Sequence, residues 1–88
     1  MTQQINYDDV STFLIELVAG KTDLEIDHIK LSDALNDLNL DSLDVLDLTF
    51  EAEHKFKISF PRELGNISTL KDVVDLTFNL ITNNSNNL

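Results

Sequence analysis

Apolar residues fall along this chain in three runs with helical spacing. Val10, Phe13, Leu14, Leu17 and Val18 recur at i, i+3, i+4, i+7 and i+8, the stripe of an amphipathic helix. Asp8, Asp9 and Glu16 lie off that stripe, the first two near the positive end of the helix dipole. Gly20 suits a helix stop, so the spacing predicts a first helix over about 7–19. The next run, Asp41 to Phe56, contains no Gly or Pro. Asp41 is a good N-cap, and Asp44 three residues later resembles a capping box. This helix is expected to end near Phe56, because Lys57-Ile58-Ser59-Phe60-Pro61 reads as extended chain before proline. Thr69 then caps a last helix carrying Leu70, Val73, Val74, Phe78 and Ile81.

Between the first two helices, Leu24, Ile26, Ile29, Leu31, Leu35 and Leu38 are spread among Asp, Asn, Ser and Lys. The mixture predicts a long ordered loop docked through its apolar residues, with one short helical turn near 33–37. Arg62-Glu63-Leu64 is expected to form a further short turn, stopped by Gly65. The Asn-rich stretch from Asn83 has nothing to bury and reads as disordered. The expected fold is all-α: a small four-helix bundle of three main helices, one short helix and a long first loop. It makes one domain over residues 1–82, followed by a disordered tail at 83–88.

At about 100° per residue, the central helix divides into three faces. Val45, Leu48, Ala52 and Phe56 form the core face, and Asp44, Asp47 and Glu51 form an acidic stripe. Leu43, Leu46 and Phe50 form a separate apolar group, with Glu53 close by. That group is either more core under the long loop or an exposed docking patch rimmed by acids.

Charge narrows the classes of function. Sixteen acids against six bases give a net charge of −10 over 88 residues. There is no basic stripe for nucleic-acid phosphates and no attraction to anionic membrane surfaces. A basic protein partner, reached by electrostatic steering, fits better. The same charge predicts self-repulsion, and hence a fold that added salt or magnesium stabilises. The chain has no cysteine, which excludes disulfides, thiolate nucleophiles and Cys-based zinc sites. Met1-Thr2-Gln3-Gln4 lacks a basic region followed by an apolar run, so no signal peptide is expected, and the apolar stretches are too short to span a bilayer. A cytoplasmic monomer is the default expectation.

Other constellations fail. Asp37, Asn39 and Asp41 begin like a calcium loop, but Ser42 stands where the loop needs Gly and Leu48 where it needs Glu. His28 and His54 match no metal spacing. No Gly-rich phosphate loop is present, and no serine has a nearby His in a triad-like arrangement.

Ser42 occupies the first turn of the central helix, where outward N–H groups and the helix dipole favour a negative group. Position alone fits better a residue that is simply favoured at helix starts. The surrounding residues say more. Leu38-Asn39-Leu40-Asp41-Ser42-Leu43-Asp44 resembles the Leu-Gly-x-Asp-Ser-Leu-Asp modification motif of acyl carrier proteins. Asp47, Leu48, Glu53 and Phe56 fall at positions matching that family's following helix, as do Ile58-Ser59-Phe60-Pro61 and Ile67-Ser68-Thr69-Leu70 beyond it. The resemblance runs from about Val10 to Ile81. Asn39 replaces the family's Gly, and Asn tolerates positive φ better than most residues. His54, Lys55 and Arg62 stand where the family is often acidic, which fits a carrier dedicated to a separate pathway as well as a housekeeping one.

The resemblance implies an acyl-carrier-like bundle that carries cargo and catalyses nothing itself. Ser42 would bear covalent 4′-phosphopantetheine, installed by a phosphopantetheinyl transferase from coenzyme A with magnesium, and Asp41 would position the transferase's coenzyme A and metal. The arm's thiol would hold an acyl group as a thioester and present it at high effective concentration to enzymes of a fatty-acid, polyketide or related pathway. Asp44, Asp47 and Glu53 would meet basic docking patches on acyl-transfer, condensing or acyl-loading enzymes. Leu43, Leu46 and Phe50 would supply the apolar contact. Val45, Leu48, Val73, Val74 and Phe78 fit either ordinary core or a shelter for the acyl chain. The alternatives are an aminoacyl or peptidyl carrier, from which Asp44 leans away, and an unmodified acidic helical adaptor.

Overall fold

A computed structural model describes residues 5–61 and 67–86, with side chains as far as residue 83. Three helices follow in order: α1 (Tyr7–Thr22), α2 (Ser42–Phe56) and α3 (Leu70–Asn86). Among the described residues there is no strand, only an isolated bridge between Ala34 and Thr69. The all-α expectation holds. The short turn expected at 62–64 lies outside the described residues.

Each helix starts on a reciprocal pair of side chain–backbone bonds. The Asn6 side chain accepts from the Asp9 N–H at 2.9 Å, and Asp9 accepts from the Asn6 N–H at 3.1 Å. Asp41 and Asp44 repeat the arrangement at α2. At α3, Thr69 Oγ1 accepts from the Asp72 N–H, and one Asp72 oxygen gathers the N–H groups of Ser68 and Thr69. Those two backbone donors hold the Asp72 carboxyl below its ordinary pKa.

Helix α1 is longer than the spacing predicts. It passes through Gly20 and ends on Asp23, which takes the left-handed conformation at φ 63° and donates its N–H to the Ala19 carbonyl at 3.0 Å. A glycine inside a helix costs only about 1 kcal/mol, and the Thr22 hydroxyl donates to the Val18 carbonyl at 2.8 Å in the last turn. Helix α2 ends where expected, with Lys57 left-handed at φ 58°.

The long connection is ordered, as its leucines suggested. Ile29, Leu35, Leu38 and Leu40 are all buried, whereas Ile26, expected to dock with them, stands exposed on the short 3-10 turn. The expected helical turn near 33–37 is instead a series of hydrogen-bonded turns, and the 3-10 helix falls at Ile26–His28. Backbone groups at 31–35 turn towards the start of α3. Leu35 donates to the Ser68 carbonyl at 2.9 Å, Leu70 to the Asp33 carbonyl at 3.1 Å, and Lys71 to the Leu31 carbonyl at 2.8 Å. Groups committed across the chain cannot also propagate a helix.

The core joins Val10, Leu14 and Val18 of α1 to Leu48 and Ala52 of α2 and to Leu70, Val73 and Val74 of α3, all fully buried. Ring contacts tie the helices at the rim: Phe13 meets Phe56 edge-on at 5.3 Å, and Tyr7 meets Phe78 edge-on at 5.6 Å. The Tyr7 hydroxyl donates to Asp75. Partial burial and this carboxylate push the Tyr7 pKa up to about 12. Lys71, 2.8 Å away, and Tyr7 hold Asp75 below its ordinary value. At the other end α3 runs on to Asn86, past the point where an unstructured tail was expected. Without Gly or Pro to stop it, each added residue gains a backbone hydrogen bond on an existing helix.

Candidate functional site

The segment before α2 presents one serine on a fixed support. Asn39 is left-handed at φ 62°, as its replacement of glycine implied. On either side of it Leu38 and Leu40 are buried, and the Leu40 N–H donates to the Leu35 carbonyl at 3.0 Å. This kink fixes where α2 begins. Asp41 caps the helix, and Ser42 follows as its first residue, exposed. The cap takes the Asp44 N–H with the Asp41 side chain and the Val45 N–H with the Asp41 carbonyl. The N–H groups of Ser42 and Leu43 remain without a partner among the described residues and face the positive end of the helix.

Beside Ser42 opens a cleft of about 570 Å³, lined by Ala34, Leu35, Leu40, Val45 and Ile67, with Asn36, Asp41 and Ser68 among its polar residues. Its walls come mainly from the long connection. Of the residues considered as an acyl shelter, only Val45 lines it; Leu48, Val73 and Val74 are fully buried in the core.

The outer face of α2 resolves the choice left open by its spacing. Leu43, Leu46 and Phe50 are 71%, 55% and 62% exposed, so they are surface and not core. Phe50 stacks on His54 with ring centres 5.9 Å apart. Leu46 and Phe50 border a second open cleft, of about 400 Å³, with Asp47, Thr49, Glu53, Phe60 and Pro61. The acids of this face are not equivalent. Asp41 and Asp44 each commit one oxygen to the cap. Glu53, half buried, accepts from the Phe60 N–H at 2.7 Å and so holds the segment after α2. Asp47 accepts from Lys21 at 2.8 Å, while Glu51 is exposed. The Asp47 carboxylate raises the Lys21 pKa above its ordinary value, with smaller help from Asp44 and Glu51.

Lys21, Phe60 and Pro61 carry no local signal in the sequence for a place on this face. Lys21 lies 26 positions from its acid, and nothing in local spacing signals that meeting. Among the described residues no group of His, Asp or Glu side chains is arranged to hold a metal ion, and no helix is long and apolar enough to cross a membrane.

A family model described as a phosphopantetheine attachment site matches residues 12–77 of the chain. An acyl carrier protein of Coprothermobacter proteolyticus is 54% identical over 46 residues, which cover 51% of this chain and 56% of that protein. One from Kocuria rhizophila is 31% identical over 74 residues, covering 82% of this chain and 91% of the relative. The crystal structure of an acyl carrier protein from Thermotoga maritima superposes with a TM-score of 0.77 at 19% identity, covering 93% of this chain and 98% of that one, a likeness of fold.

Proposed function

The chain belongs to the acyl carrier protein family, whose cofactor is covalent 4′-phosphopantetheine, and we propose that Ser42 is the residue that bears the arm. The carrying observation is the exposure of Ser42 on the first turn of α2 while its neighbours Leu40 and Val45 turn inward to line the adjoining cleft. The residues present suit the group. A phosphodiester on Ser42 would meet the helix dipole and the N–H groups of Ser42 and Leu43. Asp41 and Asp44 keep their negative charge beside it, with one oxygen of each bonded to a backbone N–H of the cap. When attached, the arm supplies a thiol that holds acyl cargo as a thioester.

The chain's own part is presentation. Leu38 and Leu40 anchor the approach to the serine, and Asn39 sets the turn. Leu43, Leu46 and Phe50 offer apolar contact, and Asp41, Asp44, Asp47 and Glu53 surround it with negative charge. That combination suits a phosphopantetheinyl transferase and acyl-transfer, condensing or acyl-loading enzymes with basic docking patches. In this reading residues 1–82 work as one unit and as a monomer in the cytoplasm, with no catalysis of their own.

The test is intact mass after incubation with a broad-specificity phosphopantetheinyl transferase, magnesium and coenzyme A. The wild type is expected to gain one phosphopantetheine group, and Ser42→Ala none. No gain in folded wild type, or an equal gain in the variant, contradicts the assignment. Loading of the modified protein by acyl rather than aminoacyl synthetases then separates the two carrier classes.

A further inference from the structure

Lys21 is one of only six basic residues in the chain, and it points into the acidic face of α2. The extension of α1 past Gly20 puts it on the helix's last turn rather than in the loop. Its side chain is only 25% exposed, so the stem is packed, whereas Asp47 is 65% exposed on the outer side of the pair. The ammonium lies 2.8 Å from one Asp47 oxygen. Asp44 and Glu51, three residues before and four after Asp47 on the same helix, add to the attraction. The stripe of three carboxylates therefore presents a formal charge of −3 + 1 = −2 to an approaching partner.

We infer that Lys21 is an internal competitor that vies with partner cations for Asp47 and so weakens docking on α2. The inference rests on the carrier reading above. A cation from a partner finds one oxygen of Asp47 already bonded, and must displace Lys21 or share the carboxylate with it. A pair this exposed contributes little to the fold. Its effect on a charged encounter is larger, because charges at an interface rim act on association and its salt dependence. For a carrier that must visit several enzymes, an internal competitor slows every charged encounter.

The test is steady-state kinetics of modification by a broad-specificity phosphopantetheinyl transferase, with coenzyme A and magnesium, over a series of sodium chloride concentrations. Lys21→Met keeps the packed stem and removes the charge. We expect it to lower KM about threefold at low salt with kcat unchanged, and to steepen the salt dependence. Lys21→Arg is expected to restore wild-type behaviour. In an Asp47→Asn background, Lys21→Met should give no gain. Melting curves on each variant identify any loss of fold, and Lys21→Gln serves as the second neutral variant. A wild type that is modified, with unchanged KM and salt slope in both neutral variants, would overturn the inference alone. So would a gain that persists with Asp47→Asn. A folded wild type that is not modified would overturn the carrier reading and this inference with it.

Discussion

The two faces of α2 carry comparable apolar residues and meet opposite fates. Leu48 and Ala52 are fully buried against α1 and α3, while Leu43, Leu46 and Phe50, on the same fifteen-residue helix, stand in solvent. Helical period alone puts them on different faces but does not decide whether the second is covered. What separates them is the course of the long connection. It is drawn to the start of α3 by the bonds from Leu35 to Ser68, Leu70 to Asp33 and Lys71 to Leu31, and it leaves the outer face of α2 uncovered. An apolar group that the fold leaves uncovered, beside acids and next to an exposed serine, is what the proposed docking role requires.

The comparison breaks most sharply at its buried end. Leu48→Ala should destabilise the fold by about 2–5 kcal/mol, the usual range for truncating a buried leucine. Phe50→Ala should stay within about 0.5 kcal/mol, as surface substitutions do. Chemical denaturation of both variants checks this, and equal losses would erase the distinction between the faces. The support beneath Ser42 comes next. Asn39→Val should cost about 1–2 kcal/mol because a β-branched residue resists positive φ, whereas Asn39→Gly should be tolerated.

A smaller effect concerns the pin between α1 and α3, where Tyr7 meets Asp75. Tyr7→Phe should cost about 1 kcal/mol, the net worth of a typical hydrogen bond. Its pH signature is directional. The folded Tyr7 pKa is raised from 10.0 to about 12, so its contribution is complete below pH 10 and is lost between pH 10 and 12. Asp72 and Asp75 are lowered from 3.8, so their contribution is complete above that value and is lost as pH falls through their depressed folded values. Stability measured against pH should lose its tyrosine-dependent alkaline slope in Tyr7→Phe and keep an acid slope from Asp72. The smallest effect is general. At a net charge of −10, moderate salt or magnesium should raise the melting temperature by a few degrees, and a flat response would contradict self-repulsion.

What was legible in the sequence was local. The Asp41–Asp44 cap, the core face of α2, the end of that helix near Phe56 and the anchoring leucines of the long loop all follow from spacing within a few residues. So does the motif around Ser42. What was not legible needed the third dimension. Gly20 looks like a stop, yet Asp23 provides it. The 3-10 helix at Ile26–His28 has no strong signal of its own, and the turns at 33–37 are decided by backbone partners more than thirty residues away. Glu53 reads as one more docking acid, but its bond to the Phe60 N–H shows a structural duty as well. Lys21 could not be paired with Asp47 until α1 and α2 were packed together.

The central claim is that the outer face of α2 serves recognition and not folding. The most direct measurement pairs thermal denaturation with transferase kinetics on one double variant, Leu46→Ala with Phe50→Ala. The account predicts a melting temperature within a few degrees of wild type, alongside a loss in kcat/KM for modification of Ser42 of about tenfold, as loss of an apolar contact patch implies. A large drop in melting temperature with undiminished kcat/KM would contradict it.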